Sequence, residues 1–312
     1  MPWLCTATVR TGVDAVLDCI VDIADPVIAS NSMKGASMAE ARTILLASDL
    51  SARSDRPTDR AFALAAQMEA SVLLLHVVEG TTDAEQIEAR AQDAFAAMAD
   101  YAPDFAEYMV VRGHVQDEIL KLAGTRNPAM IVTGPARYNH VRDFILGTTV
   151  DALVRQSPVP VLVVKQRVRA AYRRLLVATD FSPGAAQALE TAVALFPDAD
   201  ITAWHVCHAA YDAYLNAEDE VIDMQRAADA NMARFVAEAN LSDGARAKVK
   251  TLVEIGAPVN LAETTLRHGK YDLLVVGTRQ RSGLAQAIFG SWATVLLEGV
   301  RSDVLVVRGL TP

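Results

Sequence analysis

From Arg42 onward, short apolar runs rich in Val, Ile and Leu alternate with longer stretches in which apolar residues recur at helical spacing. The pattern predicts strands at Thr43–Ser48, Ser71–Val78, Glu107–Arg112, Met130–Thr133 and Val159–Val164. Between them it predicts helices over Asp59–Glu69, Asp83–Tyr101, Val115–Ala123 and Ile145–Gln156. The same order then repeats. Strands are expected at Arg174–Thr179, Ile201–Val206, Lys248–Glu254, Leu273–Val276 and Val304–Val307, with helices over Ala185–Phe196, Glu218–Asn240, Val259–Arg267 and Ala293–Glu298. Strands that alternate with helices need right-handed crossovers and a parallel sheet covered on both sides. The fold class expected is therefore α/β, as two tandem, doubly wound, five-stranded parallel sheets.

Matched landmarks support an internal duplication. Asp49 and His76 recur as Asp180 and His205. Gly113, Gly134 and Gly147 recur as Gly256, Gly277 and Gly290 at a slightly larger spacing. The difference places an insertion after the second strand of the second half, around residues 209–220, where connections lengthen at little cost. Residues 1–40 have no counterpart and are read as a loosely attached extension. Domains are expected over 41–165 and 173–312, joined by a basic, solvated linker at 166–172.

In an open parallel sheet, ligands bind beyond the carboxyl ends of the strands, where strand order reverses. Asp49 and Asp180 each follow a first strand, and a glycine-bearing stretch follows each fourth strand. In the second half this stretch runs from Gly277-Thr278-Arg279-Gln280 to Gly290-Ser291; in the first, from Gly134 to Gly147-Thr148. Glycines admit backbone N–H groups close to a phosphate, and a helix start adds donors and a positive dipole end.

Charge and cysteines narrow the partners. A net charge of −9 and a pI near 5.2 give no basic face for nucleic acid or an anionic membrane. Acidic residues at Asp14, Asp18, Asp22 and Asp25 interrupt the apolar part of the N-terminal stretch, which rules out a membrane span there. Cys5, Cys19 and Cys207 are too few and too scattered for a disulfide framework, so a reducing, cytoplasmic location is expected.

Several segments resemble a universal stress protein domain. They are Leu-Leu-Val-Ala-Thr-Asp-Phe-Ser at 175–182, Trp-His-Val at 204–206, Leu-Leu-Val-Val-Gly-Thr-Arg at 273–279, Arg-Ser-Gly-Leu at 281–284 and Asp-Val-Leu-Val-Val-Arg at 303–308. The first half resembles it through Ile-Leu-Leu-Ala-Ser-Asp-Leu-Ser at 44–51, Leu-His-Val-Val-Glu at 75–79 and Pro-Val-Leu-Val-Val-Lys at 160–165. The resemblance covers residues 42–309 and implies two such domains of Rossmann-like type. Family members that bind ATP carry a glycine, two residues, a second glycine, nine residues, then Gly-Ser or Gly-Thr. Here Gln280 and Arg137 stand where the second glycine belongs, so each copy keeps the ends of the motif and loses its middle.

The resemblance implies that Asp180, with Ala178 and Thr179 before it, and the backbone at Val206 hold adenosine. Gly277, Arg279, Gly290 and Ser291 would hold ribose and phosphates, with Gln280 and Trp292 as neighbours. The first-half counterparts are Asp49, Val77, Gly134, Arg137, Gly147 and Thr148. ATP, with Mg²⁺ on its phosphates, is the cofactor implied, and the second half is the expected site. Bland readings stand beside these. Glycines after strands often serve turns, Asp49 and Asp180 could cap helices, and His76 and His205 could be structural.

No catalytic set emerges. The lysine of a phosphate-binding NTPase loop is missing, and no Gly-x-Gly-x-x-Gly follows either first strand. Nor is a metal site expected: strand alternation would put His208 opposite His205 and Cys207. The expected role is a nucleotide-binding regulator of the stress response. A nucleotide-free scaffold and a slow ATPase are the alternatives. Val159–Val164 and Val304–Val307 are apolar edge candidates, and pairing them within one chain would make a pseudo-dimer, with a homodimer left open.

Overall fold

The computed structural model describes residues 42–79, 103–135, 137–140, 143–145, 147–207, 218–278 and 291–309, together with Ala91, Asp93 and Phe95. In the first half it has β1 (Thr43–Ala47), α1 (Asp55–Met68), β2 (Ser71–Val78), β3 (Ala106–Arg112), α2 (Val115–Arg126) and β4 (Met130–Thr133). Then come β5 (Arg137–His140), β6 (Asp143–Ile145), α3 (Thr148–Gln156) and β7 (Val161–Val163). The second half has β8 (Arg174–Ala178), α4 (Pro183–Leu195), β9 (Asp200–Cys207), α5 (Glu218–Glu238), α6 (Asp243–Arg246) and β10 (Lys250–Ile255). It ends with α7 (Pro258–His268), β11 (Leu273–Thr278), α8 (Ser291–Gly299) and β12 (Asp303–Arg308).

The strands run in the order β10-β9-β8-β11-β12-β7-β4-β1-β2-β3 as one ten-stranded sheet. Each half contributes five parallel strands in the same internal order, and the order in which strands are added to the sheet reverses between its first and fourth strands, which pair parallel. Those reversals, β1 beside β4 and β8 beside β11, set the two crevices. Near-continuous apolar strands such as Leu273-Leu274-Val275-Val276 suit burial on both faces. One face packs Leu64 of α1, Leu189 of α4 and Phe235 of α5; the other packs Ile119 of α2, Leu153 of α3, Leu266 of α7 and Leu297 of α8.

Three expectations need correction. Gly277 and Thr278 belong to β11, because Gly277 pairs with Val307 and Thr278 with Arg308, so the strand outlasts its apolar run. Ile145 does not start a helix: it lies in β6, which forms an antiparallel ribbon with β5, and α3 starts at Thr148 after Gly147 in an extended conformation. The short helix α6, capped by Ser242, was not expected from the pattern. The helix expected over Asp83–Tyr101 lies mostly outside the described residues.

The halves meet where β7 and β12 pair antiparallel, with Leu162 opposite Leu305, Val161 opposite Val306 and Val163 opposite Val304. Leu162 and Leu305 are themselves equivalent positions, so the seam has an approximate twofold axis between them. Two cations follow the same symmetry. Lys165, just past β7, donates from Nζ to the carbonyls of Leu297 and Val300 at the end of α8. Arg308, ending β12, donates to the carbonyl of Gln156 at the end of α3 at 3.0 Å. Each half therefore supplies a cation to the negative end of the other half's last helix, an arrangement worth about 0.3–1 kcal/mol per contact.

The linker is not solvated throughout, as its charge suggested, because one buried carboxylate draws it inward. Asp303 Oδ1 accepts from the backbone N–H groups of Lys165 and Gln166 at 2.7 and 2.8 Å; Oδ2 accepts from the Tyr172 hydroxyl at 2.5 Å. Arg60 of α1 stands 3.5 Å from Oδ2, lies over the Tyr172 ring at 4.1 Å, and donates to the Ala170 carbonyl. Arg56 and Gln67, on the same side of α1, donate to the carbonyls of Lys165 and Tyr172.

Removing one member of a buried charged pair leaves the other uncompensated, so Asp303→Ala is expected to lower stability by roughly 3–5 kcal/mol in urea unfolding; an unchanged midpoint would show the network to be incidental. A second test uses pH. Burial pulls the Lys165 ammonium down to a pKa of about 8, against the opposing influence of the Asp303, Glu263 and Glu298 carboxylates. Above pH 8 the folded chain has released this proton while the unfolded chain still holds it, so stability rises with pH through this window. The stability of the wild type relative to Lys165→Met should rise by on the order of 2 kcal/mol between pH 8 and 10. A flat difference over that range would contradict the assignment.

Candidate functional site

The first strand of each half ends in the same turn. Leu50 and Phe181 follow the two aspartates, and both are left-handed non-glycine residues, at φ 55° and 63°. Such a conformation is costly for these side chains and needs local bonds to hold it. Ser48 Oγ and Thr179 Oγ1 accept the N–H of Leu50 and Phe181 at 3.1 and 2.9 Å. Asp49 and Asp180 Oδ1 accept the N–H of Ser51 and Ser182, each at 3.0 Å. His76 and His205 place Nδ1 3.0 and 2.8 Å from the Ser48 and Thr179 carbonyls. A carbonyl only accepts, so Nδ1 carries the proton in both rings. The two histidines thus brace the turns. Ser182 caps α4, accepting from the Ala185 N–H, while Asp180 shapes the turn before it.

The two turns differ in what surrounds the carboxylate. Asp49 also accepts from the hydroxyls of Ser51 and Ser54 at 2.7 and 2.6 Å. Partial burial raises its pKa, but the hydrogen bonds from Ser54 and Ser51 and the charge of Arg53 outweigh this and hold it below the usual value. In the second half, Ala185 stands in Ser54's place, while both aspartates are exposed at their rims.

Register brings the other site residues to that rim. Val276 pairs with Ala178, the last rung between the two strands, so Gly277 and Thr278 run on past the end of β8, where Thr179 and Asp180 begin the turn. Alternation puts Ala178, Val206 and Val276 on the face that also packs Ala293 of α8. Thr278 follows on that face. Its hydroxyl is fully buried and has no hydrogen-bond partner among the described residues, and the sequence reading had not singled it out. The first-half crevice has Ala47, Val77 and Thr133 in the equivalent places, with Pro135 at the position of Thr278. Arg279, Gln280 and Gly290 lie outside the described residues. Ser291 and Trp292 open α8, Arg137 lies in β5, and Thr148 opens α3. Between Gly134 and Gly147 the first half carries the β5–β6 ribbon, whose β6 strand lies against α8 of the second half.

Among the described residues, no three His, Cys, Asp or Glu side chains cluster as a metal site would require. An open depression of about 460 Å³ lies at the amino end of β9 and beside β10, lined by Pro197–Asp200 and Ala247–Lys250. It lies at the opposite end of the strands from Asp180, which follows the carboxyl end of β8.

Packing accounts for Gly277. A Cβ there would come within 2.2 Å of the Gly184 carbonyl oxygen, and one on Gly184 within 2.2 Å of the Thr278 oxygen. One on Gly309 would meet the same Thr278 oxygen at 2.6 Å. Three glycines therefore let the start of α4 rest on bare backbone, on the face opposite Thr278. Gly134 is under no such pressure, its nearest neighbour being Pro57 Cγ at 3.4 Å. Gly277→Ala is expected to cost roughly 1–3 kcal/mol in denaturant unfolding, and Gly134→Ala far less; equal costs would contradict this account of Gly277.

No curated protein matches the chain significantly. Among solved structures, a universal stress protein from Archaeoglobus fulgidus DSM 4304 is similar at 19% identity and a TM-score of 0.59, over 87% of this chain and 100% of that one. A protein of unknown function from Pseudomonas aeruginosa PAO1 is similar at 20% identity and a TM-score of 0.57, over 86% of this chain and 93% of that one. These two share the fold. The universal stress protein family itself matches twice, over residues 40–165 and 171–308, one match to each half of the sheet. The chain belongs to the universal stress protein family.

Proposed function

We propose that the second half binds an adenine nucleotide in the crevice between β8 and β11, and that the first half serves as a structural partner. The observation that carries this reading is the meeting of exposed Asp180 and the tip of β11 at one rim, beside the face where α8 begins. Ala178, Val206 and Val276 give that crevice an apolar floor for a base. Helix α8 would turn its positive end towards phosphate. Mg²⁺ would arrive on the phosphates, since no described cluster of side chains is built to hold it.

The first half offers a poorer fit. Asp49 is engaged by two serine hydroxyls and a backbone N–H, and the stretch between its glycines is a ribbon seated on α8. Binding that alters the second crevice would bear on the seam and on contacts with other proteins, in keeping with a cytoplasmic regulator.

Isothermal titration of the full chain with ATP and Mg²⁺ is expected to show one site. Asp180→Ala should weaken it at least about tenfold, the scale of one lost charge-assisted hydrogen bond, and Asp49→Ala should leave it unchanged. No heat with ligand well above micromolar would favour the nucleotide-free scaffold instead. Phosphate release beyond one turnover would favour the slow ATPase.

A further inference from the structure

The amino ends of the second half's strands gather positive charge that the net charge of −9 conceals. Strands β8 to β12 run parallel to one another, so the residues just before each of them share one rim. Lys248 and Lys250 stand there at β10, Arg173 and Arg174 at β8, Lys270 before β11 and Arg301 before β12, all of them exposed. Three exposed acids, Asp198, Asp200 and Asp272, lie among these six cations. Two are already engaged: Asp200 pairs with Lys250 at 3.0 Å, and Asp272 accepts from the backbone N–H groups of Arg173 and Arg174. The equivalent positions of the first half hold Arg42 and Arg126 against Glu69 and Asp104, so the fold itself does not call for this charge. The linker adds exposed Arg167 and Arg169, although its course is set by bonds to its backbone from Asp303, Arg60 and Gln67. Like charges gathered in this way repel one another, and opposite charge seated among them relieves that cost. The open depression of about 460 Å³ lies on the same rim, where Pro197, Ala199 and Val249 line it beside Lys248 and Lys250.

We propose that this rim is the docking face for the acidic N-terminal segment of the same chain, residues 13–28. Between residues 11 and 33 the sequence has Asp14, Asp18, Asp22 and Asp25 and no lysine or arginine, with Val16, Leu17, Ile20 and Ile23 set between the acids. A segment both acidic and apolar matches a cationic face around a partly apolar depression. The chain is long enough to bring them together. Asp25 is 17 residues from Arg42, a separation that extends to about 56 Å at ~3.3 Å per residue. The route from β1 to β8 crosses five strand spacings, about 24 Å at ~4.8 Å each. Because the halves run antiparallel, it also passes from one end of the sheet to the other, which adds about 17 Å. Tethering favours this occupant over an external polyanion. A flexible tether holds the segment at roughly millimolar effective concentration, whereas nucleic acid or an anionic membrane must approach a chain of net charge −9 against long-range repulsion. The rim lies at the opposite end of the strands from Asp180, so the inference stands apart from the nucleotide reading.

The test treats the full chain with a carbodiimide that joins carboxylates directly to lysine amines, and maps the joined peptides by mass spectrometry. Asp14, Asp18, Asp22 or Asp25 should be joined to Lys248, Lys250 or Lys270. These products should disappear in about 1 M salt, where screening acts within about 3 Å. In a mixture of isotopically light and heavy protein they should join only peptides of one label. Arg173→Gln/Arg174→Gln/Arg301→Gln leaves every lysine in place and should cut their yield at least about threefold by removing three surface charges. Its melting temperature, expected to match the wild type's, shows that it folds. Absence of these products while Lys121 and other exposed lysines react, or a yield indifferent to both salt and the triple substitution, overturns the proposal. Products of mixed label would assign the contact to two copies and overturn docking within one chain. A wild type that takes up a single-stranded oligonucleotide at about 0.15 M salt, losing the products as it does so, would give the rim to nucleic acid and overturn it as well.

Discussion

Antiparallel pairing of β7 with β12 is the constraint on which the rest of the molecule depends. Two parallel five-stranded sheets each end in an apolar strand that cannot be left bare without inviting association. Joining the two bare edges removes both at once and runs the apolar core unbroken through the two halves. The buried Asp303 network then fixes how the halves sit, because its partners come from α1, from the linker and from the chain just past β7. Buried charge of this kind is weak evidence for stability but good evidence for a single arrangement, since any other would leave Asp303 unpaired.

That arrangement departs from twofold symmetry at defined places. Lys165 and Arg308 obey the symmetry, each reaching the end of the other half's last helix. Asp303 breaks it, because Pro160 occupies the equivalent position and has no carboxylate. The crevices break it again, through Ser54 against Ala185 and Pro135 against Thr278. Duplication leaves one copy free to take up structural work once the other keeps a ligand. The β5–β6 ribbon fits this view: the stretch that could have cradled a phosphate in the first half instead lies against α8 of the second.

Much of the fold was legible because both faces of the sheet are covered, which forces each strand to be an uninterrupted apolar run; β2 and β4 lie where the pattern placed them. That Asp180 and the tip of β11 would share a crevice followed only if the first and fourth strands are neighbours, and strand order is set by packing that the pattern does not carry; β8 and β11 do pair. What the pattern missed depends on contacts distant in sequence. Gly277 read as a glycine for phosphate or for a turn until the start of α4 is seen resting on the β11 backbone, against Gly184 and Gly309. Tyr172 read as linker, since nothing local announces that Asp303 will bury it. Thr278 read as part of the glycine-bearing stretch after the fourth strand, and only its surroundings show that its hydroxyl is buried without a partner among the described residues.

Crystallising the full chain with ATP and Mg²⁺ tests the central claim most directly. The account predicts one nucleotide per chain, at the tips of β8 and β11 beside Asp180, with the β1–β4 crevice empty. Nucleotide in the first crevice alone, equal occupancy of both, or none in either would contradict it.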